Sequence, residues 1–245
     1  MTKIALVTGG MGGIGSAICY GLAKEGYKVV TTYSGNEEKA KAWLSKSKSL
    51  GFEIKAYVCN VADYDSCNSL IQKINQEVGV IDILVNNAGI TRDGTLKKMT
   101  KENWDLVLRT NLDSMFNLTK PVLDGMLNNG WGRVINISSI NGQKGQFGQT
   151  NYCASKAGIH GFTMALAQEV ARKGITVNTI APGYIATEMV MAVAPEILDK
   201  IVATIPVGRL GKPEEIAQLI SYLCSDLAGF ITGSEIAING GQHMM

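Results

Sequence analysis

Cysteine, histidine and long apolar runs are scarce in this 245-residue sequence, and each scarcity excludes a class of protein. The five cysteines contain no Cys-x-x-Cys pair, and His160 and His243 are the only histidines. These residues are too few, and too irregularly spaced, for a structural zinc site. We therefore expect a chain with reduced cysteines and no bound metal.

Charge and hydropathy exclude two further classes. The formal net charge is only +2 and no block of like charges occurs, whereas nucleic-acid-binding surfaces cluster lysine and arginine. No apolar run approaches the ~18 residues that a membrane-spanning helix needs. The opening MTKIALVTGG lacks the charged start, apolar stretch and cleavage site of a signal peptide. We expect a cytoplasmic, enzyme-like protein that binds neither nucleic acid nor membrane.

Short, β-prone apolar runs alternate with longer segments of helical period along the whole chain. The strand-like runs cover residues 3–8, 28–33, 53–58, 81–87, 132–138, 174–181 and 234–240. The helical segments cover residues 13–26, 36–51, 63–79, 101–128, 150–173 and 213–225. This alternation predicts right-handed crossovers and an α/β fold, a Rossmann-like doubly wound parallel sheet of about seven strands with helices on both faces. We expect residues 1–245 to form a single dinucleotide-binding and catalytic domain.

A glycine-rich turn follows the first strand. TGGMGGIG, residues 8–15, matches both Gly-x-Gly-x-x-Gly and Thr-Gly-x-x-x-Gly-x-Gly. Glycines there let backbone N–H groups approach a pyrophosphate, and the helix N-terminus adds partial positive charge. The turn predicts dinucleotide binding, although an isolated glycine turn is often only a turn.

The end of the second strand favours NADP(H) over NAD(H). An acidic residue there would hold the ribose 2′-hydroxyl and repel a 2′-phosphate. The strand instead ends in Tyr33 and Ser34, while Glu37 and Glu38 suit the start of the next helix. Lys39, helped by Ser34, is a candidate for the 2′-phosphate; the alternative is a solvated surface lysine.

Five motifs occur in register along the chain. They are TGGMGGIG, NNAG at 86–89, Asn111, Ser139 and YCASK at 152–156. With these motifs the chain resembles the short-chain dehydrogenase/reductase family over essentially its whole length. Three further stretches are similar to members that reduce acetoacetyl-CoA: GITRD at 89–93, NGQKGQFGQTNY at 141–152 and PGYIATEM at 182–189. The resemblance implies NADPH-dependent reduction of acetoacetyl-CoA to (R)-3-hydroxyacyl-CoA, as in polyhydroxyalkanoate synthesis.

The resemblance also assigns roles to residues. The implied catalytic tetrad is Asn111, Ser139, Tyr152 and Lys156. The expected cofactor contacts are Gly9, Met11, Gly12, Gly13, Ile14, Gly15, Ser34, Lys39, Asn60, Val61, Asn87, Ala88, Gly89, Ile90, Tyr152, Lys156, Pro182, Gly183 and Ile185. The expected substrate contacts are Asp93, Gln146, Phe147, Gln149 and Tyr184.

Reduction of a ketone needs a hydride at carbon and a proton at oxygen. Tyrosine is a weak acid, with an ordinary pKa of about 10, and a nearby cation lowers that pKa. The four-residue spacing places Lys156 on the helical face of Tyr152. Ser139 would stabilise the developing oxyanion. Asn111 is expected in a proton relay to Lys156, or alternatively as a buried hydrogen-bonding residue. Cys153 and His160 are expected to be structural.

The segment of about 184–213 is a candidate substrate lid, because loops that close exclude water from a site; the alternative is a helical excursion with a packing role. Four cations could meet coenzyme A phosphates or be ordinary surface charges: Lys97, Lys98, Lys144 and Arg209.

Two other functions remain open. One is reduction of a 3-oxoacyl group carried by acyl-carrier protein, and the other is a non-catalytic dinucleotide-sensing module. Such a module commonly loses the tyrosine or lysine, and this chain has both. The family resemblance also suggests a homotetramer with the helices near 101–128 and 150–173 at an interface.

Overall fold

The computed structural model describes residues 2–244, and seven strands within that range form one parallel sheet. In chain order they are β1 (Ile4–Val7), β2 (Lys28–Tyr33), β3 (Lys55–Val58), β4 (Ile83–Asn86), β5 (Gly132–Ile137), β6 (Ile175–Pro182) and β7 (Glu235–Ile238). The predicted fold class and number of strands are confirmed.

Ten α-helices connect the strands within the described residues. They are α1 (Gly13–Lys24), α2 (Glu37–Ser49), α3 (Tyr64–Glu77), α4 (Lys101–Leu108), α5 (Ser114–Asn129), α6 (Ile140–Lys144), α7 (Thr150–Val170), α8 (Glu188–Met191), α9 (Pro195–Ala203) and α10 (Pro213–Cys224). In residues 2–244 none of the helices is both long and apolar enough to cross a membrane.

The strand order is β3-β2-β1-β4-β5-β6-β7. Leu6 of β1 lies between Val30 of β2 and Leu84 of β4. Strands β2 and β3 therefore extend the sheet on one side of β1, and strands β4 to β7 extend it on the other. In doubly wound sheets, ligands bind at the carboxyl ends of the strands beside this switch, so the site is expected above β1 and β4.

Two apolar layers cover the sheet, one on each face. Because alternate residues of a strand face opposite sides, Leu6 packs under α3, α5 and α7, whereas Ala5 and Val7 pack under α1 and α10. All three side chains are fully buried. Burial on both faces explains why the strands read as nearly continuous apolar runs in the sequence.

Two local predictions of helix boundaries are confirmed. Asn36 caps α2 by accepting a hydrogen bond from the Lys39 N–H at 2.9 Å. Gly26 follows α1 with a φ of +85°, the left-handed conformation that glycine adopts without strain. These signals are reliable because each depends on a few neighbouring residues.

The helical region predicted at 101–128 is not a continuous α-helix. A π-helical turn, Arg109–Asp113, separates α4 from α5. Such a turn holds one extra residue and is frequent at functional sites. Here it carries Asn111, whose side chain is completely buried. The short helix α6, which directly follows Ser139, was also absent from the prediction.

A buried polar chain fastens α7 to the centre of the sheet. Asn86 Nδ2 donates to Asn136 Oδ1 at 2.9 Å, and Asn136 Nδ2 donates to Thr163 Oγ1 at 2.9 Å. Thr179 donates to the same Thr163 oxygen at 2.7 Å. Since unpaired buried polar groups are costly, these bonds fix the position of α7 over β4, β5 and β6.

Candidate active site

The glycine turn forms a close junction between β1 and α1. Gly9 has a φ of +62°, and a Cβ atom on Gly15 would lie 2.4 Å from the Gly9 carbonyl oxygen. The helix begins at Gly13 and its N-cap, Gly12, has no side chain, so the first-turn N–H groups remain open to a ligand. The rim of the turn is formed by Met11, Gly12, Gly13 and Ile14. This cradle fits the pyrophosphate of a dinucleotide.

Thr8 and Asn87 lock the turn onto the end of β4. The Asn87 and Ala88 N–H groups each donate to Thr8 Oγ1 at 2.9 Å. Asn87 Nδ2 donates to the Thr8 carbonyl at 2.8 Å and to the Gly9 carbonyl at 3.2 Å. The Asn87 amide therefore shapes the cofactor trough from beneath, and its predicted contact with the cofactor stays a prediction.

The end of β2 presents Ser34 and Lys39, both exposed. In the first turn of α2, Glu37 forms a 2.8 Å ion pair with Lys41 one turn further on. That pairing turns one of the two early carboxylates toward a lysine of its own helix. β2 ends at Tyr33, and the first acidic side chains after it belong to the first turn of α2. The preference for NADP(H) stays a prediction.

Asn60 and Val61 differ in whether their side chains are accessible to an adenine. Asn60 is exposed, and its N–H donates to Ser66 Oγ at 3.1 Å. Val61 has its side chain in the core, and its carbonyl accepts from Asn117 Nδ2 at 3.0 Å. Of the two predicted contacts, only Asn60 has a side chain free of the core.

The end of β6 approaches the same crevice. The Gly183 N–H donates to the Ile238 carbonyl at 3.0 Å, and a Cβ atom on Gly183 would lie 2.8 Å from Asn239 Cα. Ile185 is buried, and Pro182 is the last residue of β6. The predicted nicotinamide contacts of this segment are therefore held closely against β7.

Asn111 forms hydrogen bonds with both backbone polar groups of Ile90. Its Oδ1 accepts from the Ile90 N–H at 2.8 Å, and its Nδ2 donates to the Ile90 carbonyl at 2.9 Å and to Ser155 Oγ at 3.3 Å. A Cβ atom on Gly89 would lie 3.4 Å from Asn111 Oδ1 and 3.5 Å from Lys156 Nζ. These contacts match the structural alternative for Asn111, and its part in a proton relay stays a prediction.

Ser139, Tyr152 and Lys156 come together above the end of β5. Ser139 caps α6, accepting the Asn141 N–H at 3.1 Å, and its hydroxyl lies close enough to Tyr152 to lower the pKa of the phenol. Lys156 Nζ lies 5.6 Å from the centroid of the Tyr152 ring and donates to the Ile137 carbonyl at 2.7 Å. The Lys156 side chain is almost entirely buried.

The pKa of Tyr152 shifts in the opposite direction to the one predicted from the sequence. Burial raises it above its ordinary value of 10.0, and the nearby Ser139 hydroxyl lowers it only partly. Burial also lowers the pKa of Lys156 to about 8. Desolvation of the phenol therefore outweighs the lowering expected from the sequence, and stabilisation of the phenolate by Lys156 stays a prediction.

Two of the predicted substrate residues belong to a hydrogen-bonded chain. Gln149 Nε2 donates to Asp93 Oδ2 at 2.8 Å, and Gln149 Oε1 accepts from Asn141 Nδ2 at 2.9 Å. Both ends of the Gln149 amide are thus engaged within the protein. These hydrogen bonds join the loop after β4 to the loop before α7. No sequence motif predicted a role for Asn141 in them.

The other predicted substrate residues lie at the mouth of the crevice. Gln146 and Phe147 are exposed, Phe147 by 87%. Tyr184 is partly buried, and its carbonyl accepts the Gly211 N–H at 2.9 Å. Ala186 N–H donates to the Gly211 carbonyl at 2.8 Å, so the two ends of the segment 184–213 are paired at its base.

The candidate coenzyme A cations fall into two groups. Lys97, Lys98 and Lys144 are exposed. Arg209 forms a bidentate ion pair with Glu215, at 2.7 and 2.8 Å. Its charge is therefore already matched by a carboxylate, which makes it the weakest of the four candidates.

Residues 2–244 contain no cluster of three or more His, Cys, Asp or Glu side chains able to hold a metal ion. The open helix N-terminus, the glycine cradle and the buried lysine fit a nicotinamide dinucleotide instead, whose pyrophosphate would lie on the turn after β1.

Comparison with known proteins gives the same family throughout. The sequence model described as short chain dehydrogenase matches residues 3–197. The chain is 60% identical over 242 residues to an acetoacetyl-CoA reductase of Cupriavidus necator, covering 99% of this chain and 98% of that one. It is 55% identical over 241 residues to nodulation protein G of Azospirillum brasilense, covering 98% of each. Identity to a 3-oxoacyl-[acyl-carrier-protein] reductase of Staphylococcus aureus is 44% over 244 residues, covering 100% and 99%. The chain belongs to the short-chain dehydrogenase family.

Proposed function

We propose that this chain uses NADPH to reduce acetoacetyl-CoA to (R)-3-hydroxybutyryl-CoA. The observation that carries the proposal is the Ser139, Tyr152 and Lys156 arrangement at the end of β5, beside a cradle for a dinucleotide. Support for the substrate comes from relatives named acetoacetyl-CoA reductase at 60, 55 and 51% identity. An acid and an oxyanion-binding hydroxyl next to a cofactor suit carbonyl reduction.

The proposed mechanism assigns one task to each side chain. Bound NADPH supplies the hydride. Ser139 donates a hydrogen bond to the carbonyl oxygen, stabilising its developing negative charge. Tyr152 gives that oxygen its proton. The Lys156 ammonium group, 5.6 Å from the phenol ring centroid, stabilises the tyrosinate that remains. Asn111 holds the Ile90 peptide at the cofactor trough.

Burial raises the pKa of Tyr152, so the phenol must become more acidic as the substrate oxygen gains charge. A phenol with a raised pKa is fully protonated at neutral pH, so it is ready to donate. Transfer becomes favourable only when the substrate oxygen gains charge and the Lys156 ammonium stabilises the product phenolate. A shift of Lys156 from the Ile137 carbonyl toward Tyr152 would provide that stabilisation during turnover.

We propose that the acyl group lies between the loop before α7 and the segment 184–213. The Asp93–Gln149–Asn141 chain holds the loop in place, and exposed Phe147 offers an apolar surface to a short acyl chain. On the opposite side, Met189, Met191 and Ile197 are exposed apolar residues of α8 and α9. Their exposure supports the role of this segment as a lid that closes on substrate.

Acyl-carrier protein is the alternative carrier of the substrate. The 44% identity to an acyl-carrier-protein-dependent reductase favours it less than the 60% identity to an acetoacetyl-CoA reductase. Exposed Lys97, Lys98 and Lys144 would suit either coenzyme A phosphates or an acidic carrier. We further propose a role in polyhydroxyalkanoate synthesis, in the cytoplasm.

The single-domain organisation and the homotetramer also belong to the proposal. The outer face of α7 carries small exposed residues, Ala154, Ala157, Gly161 and Ala165. Small side chains allow two helices to approach closely, so this face supports helix-to-helix contact between subunits.

The substrate assignment is tested by steady-state kinetics with NADPH. We expect kcat/KM for acetoacetyl-CoA to exceed that for acetoacetyl-acyl-carrier protein and to fall as the 3-oxoacyl-CoA chain lengthens. Equal or higher values with the carrier-protein thioester would favour the alternative. Absence of cofactor oxidation with either thioester would support a binding module.

Tyr152→Phe should lower kcat by roughly 10²–10⁴-fold, because the variant lacks the proton donor. The ring remains, so the Kd for NADPH should stay within about twofold by fluorescence titration. Tyr222→Phe, an exposed tyrosine on α10, is the matched control and should retain full activity. Near-normal turnover by Tyr152→Phe would remove the phenol from the mechanism.

Lys39→Ala should narrow the preference for NADPH over NADH. Removing an ammonium group at an exposed 2′-phosphate site costs about 1 kcal/mol, roughly five- to tenfold in kcat/KM for NADPH, and leaves NADH kinetics unchanged. Lys41→Ala, on the same helix but paired with Glu37, is the control. A wild-type enzyme that prefers NADH, or equal effects of both variants, would contradict the cofactor assignment.

Lys156→Met should inactivate the enzyme yet stabilise the fold near neutral pH. Folding lowers the pKa of Lys156 to about 8 from 10.5, so the unfolded chain binds more protons between those values. The wild type therefore gains stability as pH rises from about 8 to 10.5. The advantage of Lys156→Met, on the order of 1–3 kcal/mol at pH 7, should shrink over that window in urea denaturation. An exposed control, Lys46→Met, should show no such pH-dependent difference.

A further inference from the structure

A second titratable cluster lies directly behind the proposed catalytic residues. His160, one helical turn beyond Lys156 on α7, has its Nε2 atom 3.0 Å from Ser138 Oγ. On the other side of the ring, Nδ1 contacts the carboxylate of Glu235 at the start of β7. All three side chains are at least partly buried. The proposed mechanism uses none of them.

The hydrogen bonds of this cluster have a direction. Ser138 Oγ lies 2.8 Å from the Lys156 carbonyl oxygen, which can only accept, so the hydroxyl proton belongs to that bond. His160 Nε2–H therefore donates to Ser138 Oγ. Nδ1 lies against the Glu235 carboxylate without the geometry of a hydrogen bond. The ordered hydrogen bonds therefore run from His160 through Ser138 to the backbone of Lys156, and Glu235 contacts the far side of the ring.

These hydrogen bonds lead to the residues that form the proposed active site. Ser138 holds the Lys156 carbonyl, while the carbonyl of Ile137, the preceding residue, accepts from Lys156 Nζ at 2.7 Å. Ser139, the proposed oxyanion donor, follows immediately in the sequence. The end of β5 is thus bonded to Lys156 at both its backbone and its ammonium group, and His160 sets the orientation of the Ser138 hydroxyl.

We propose that His160 and Glu235 are positioning residues that act through Ser138 to set the spacing between Ser139 on β5 and Tyr152 with Lys156 on α7. This inference rests on the proposed function. It adds to that function by assigning a role to Glu235 of β7, a strand that contains none of the catalytic motifs. Small errors in such spacing are costly, since misplacement by about 1 Å can lower a rate by roughly 10²-fold.

Two observations argue against a purely structural role. Thr163, one turn further along α7, already fastens the helix to β5 and β6 through Asn136 and Thr179. Moreover, the Oε1 atom of Glu235 is buried with no hydrogen-bond partner among the described residues. Burying an incompletely paired carboxyl group costs free energy that an apolar residue at this position would avoid.

The test compares variants of the cluster with a variant of the neighbouring polar chain. His160→Leu removes the hydrogen bond to Ser138, whereas His160→Gln keeps an amide N–H that can donate to Ser138. Thr163→Val is the matched control, because it deletes buried hydrogen bonds of the same helix away from the site. Ser138→Ala removes a single hydroxyl and replaces His160→Leu should that variant not fold.

We expect His160→Leu, or Ser138→Ala, to lower kcat about tenfold or more, with KM for NADPH and for acetoacetyl-CoA within about twofold of wild type. His160→Gln should recover most of the lost kcat. Thr163→Val should lower the urea midpoint while keeping kcat within about twofold. This pattern separates positioning from general loss of stability.

Unchanged kcat in His160→Leu or Ser138→Ala would overturn the proposal, as would an equal loss in Thr163→Val or no recovery in His160→Gln. The activity of the Tyr152→Phe variant separates failure of this proposal from failure of the proposed function. A normal His160→Leu enzyme beside an inactive Tyr152→Phe enzyme would remove only the positioning role. A fully active Tyr152→Phe enzyme would instead overturn the catalytic assignment itself.

Discussion

The attachment of α7 to the end of β5 is the constraint on which the site depends. Lys156 is held at its ammonium group by the Ile137 carbonyl and at its backbone by the Ser138 hydroxyl. The helix then places Tyr152 beside Ser139, whose hydroxyl lowers the pKa of the phenol. Proton donor, cation and oxyanion donor are thus placed by polar contacts between one strand end and one helix.

This arrangement trades stability for function. The buried ammonium group of Lys156, whose pKa falls to about 8, costs free energy in the folded state at neutral pH, whereas the partly buried Tyr152 phenol is neutral there and adds no such cost. The two apolar layers of the sheet, with residues such as Leu6 and Ile135 fully buried, offset that cost. The site therefore holds a lysine and a tyrosine whose pKa values lie further apart than in water.

The sequence predicted those features that depend on neighbouring residues. Alternating apolar runs predicted the sheet, and Asn36 and Gly26 marked helix ends that the structure confirms. Features that depend on packing between distant segments were missed. The π-helical turn at Arg109–Asp113 and the engagement of Gln149 by Asp93 have no local pattern. The pKa of Tyr152 is raised and not lowered as predicted, because helical spacing does not reveal how far packing removes the phenol from water.

The glycine turn after β1 and the segment 184–213 meet in a close contact. A Cβ atom on Gly13 would lie 2.7 Å from Thr187 Cγ2, so the first residue of α1 packs directly against the N-cap of α8. Gly13 lies in the cradle proposed for the pyrophosphate, and Thr187 lies at the base of the proposed lid. Because packed groups cannot pass through each other, a ligand that shifts the glycine turn must also shift the start of the lid. A side chain at Gly13 would therefore collide with Thr187, so the close approach of α1 and α8 requires glycine at this position.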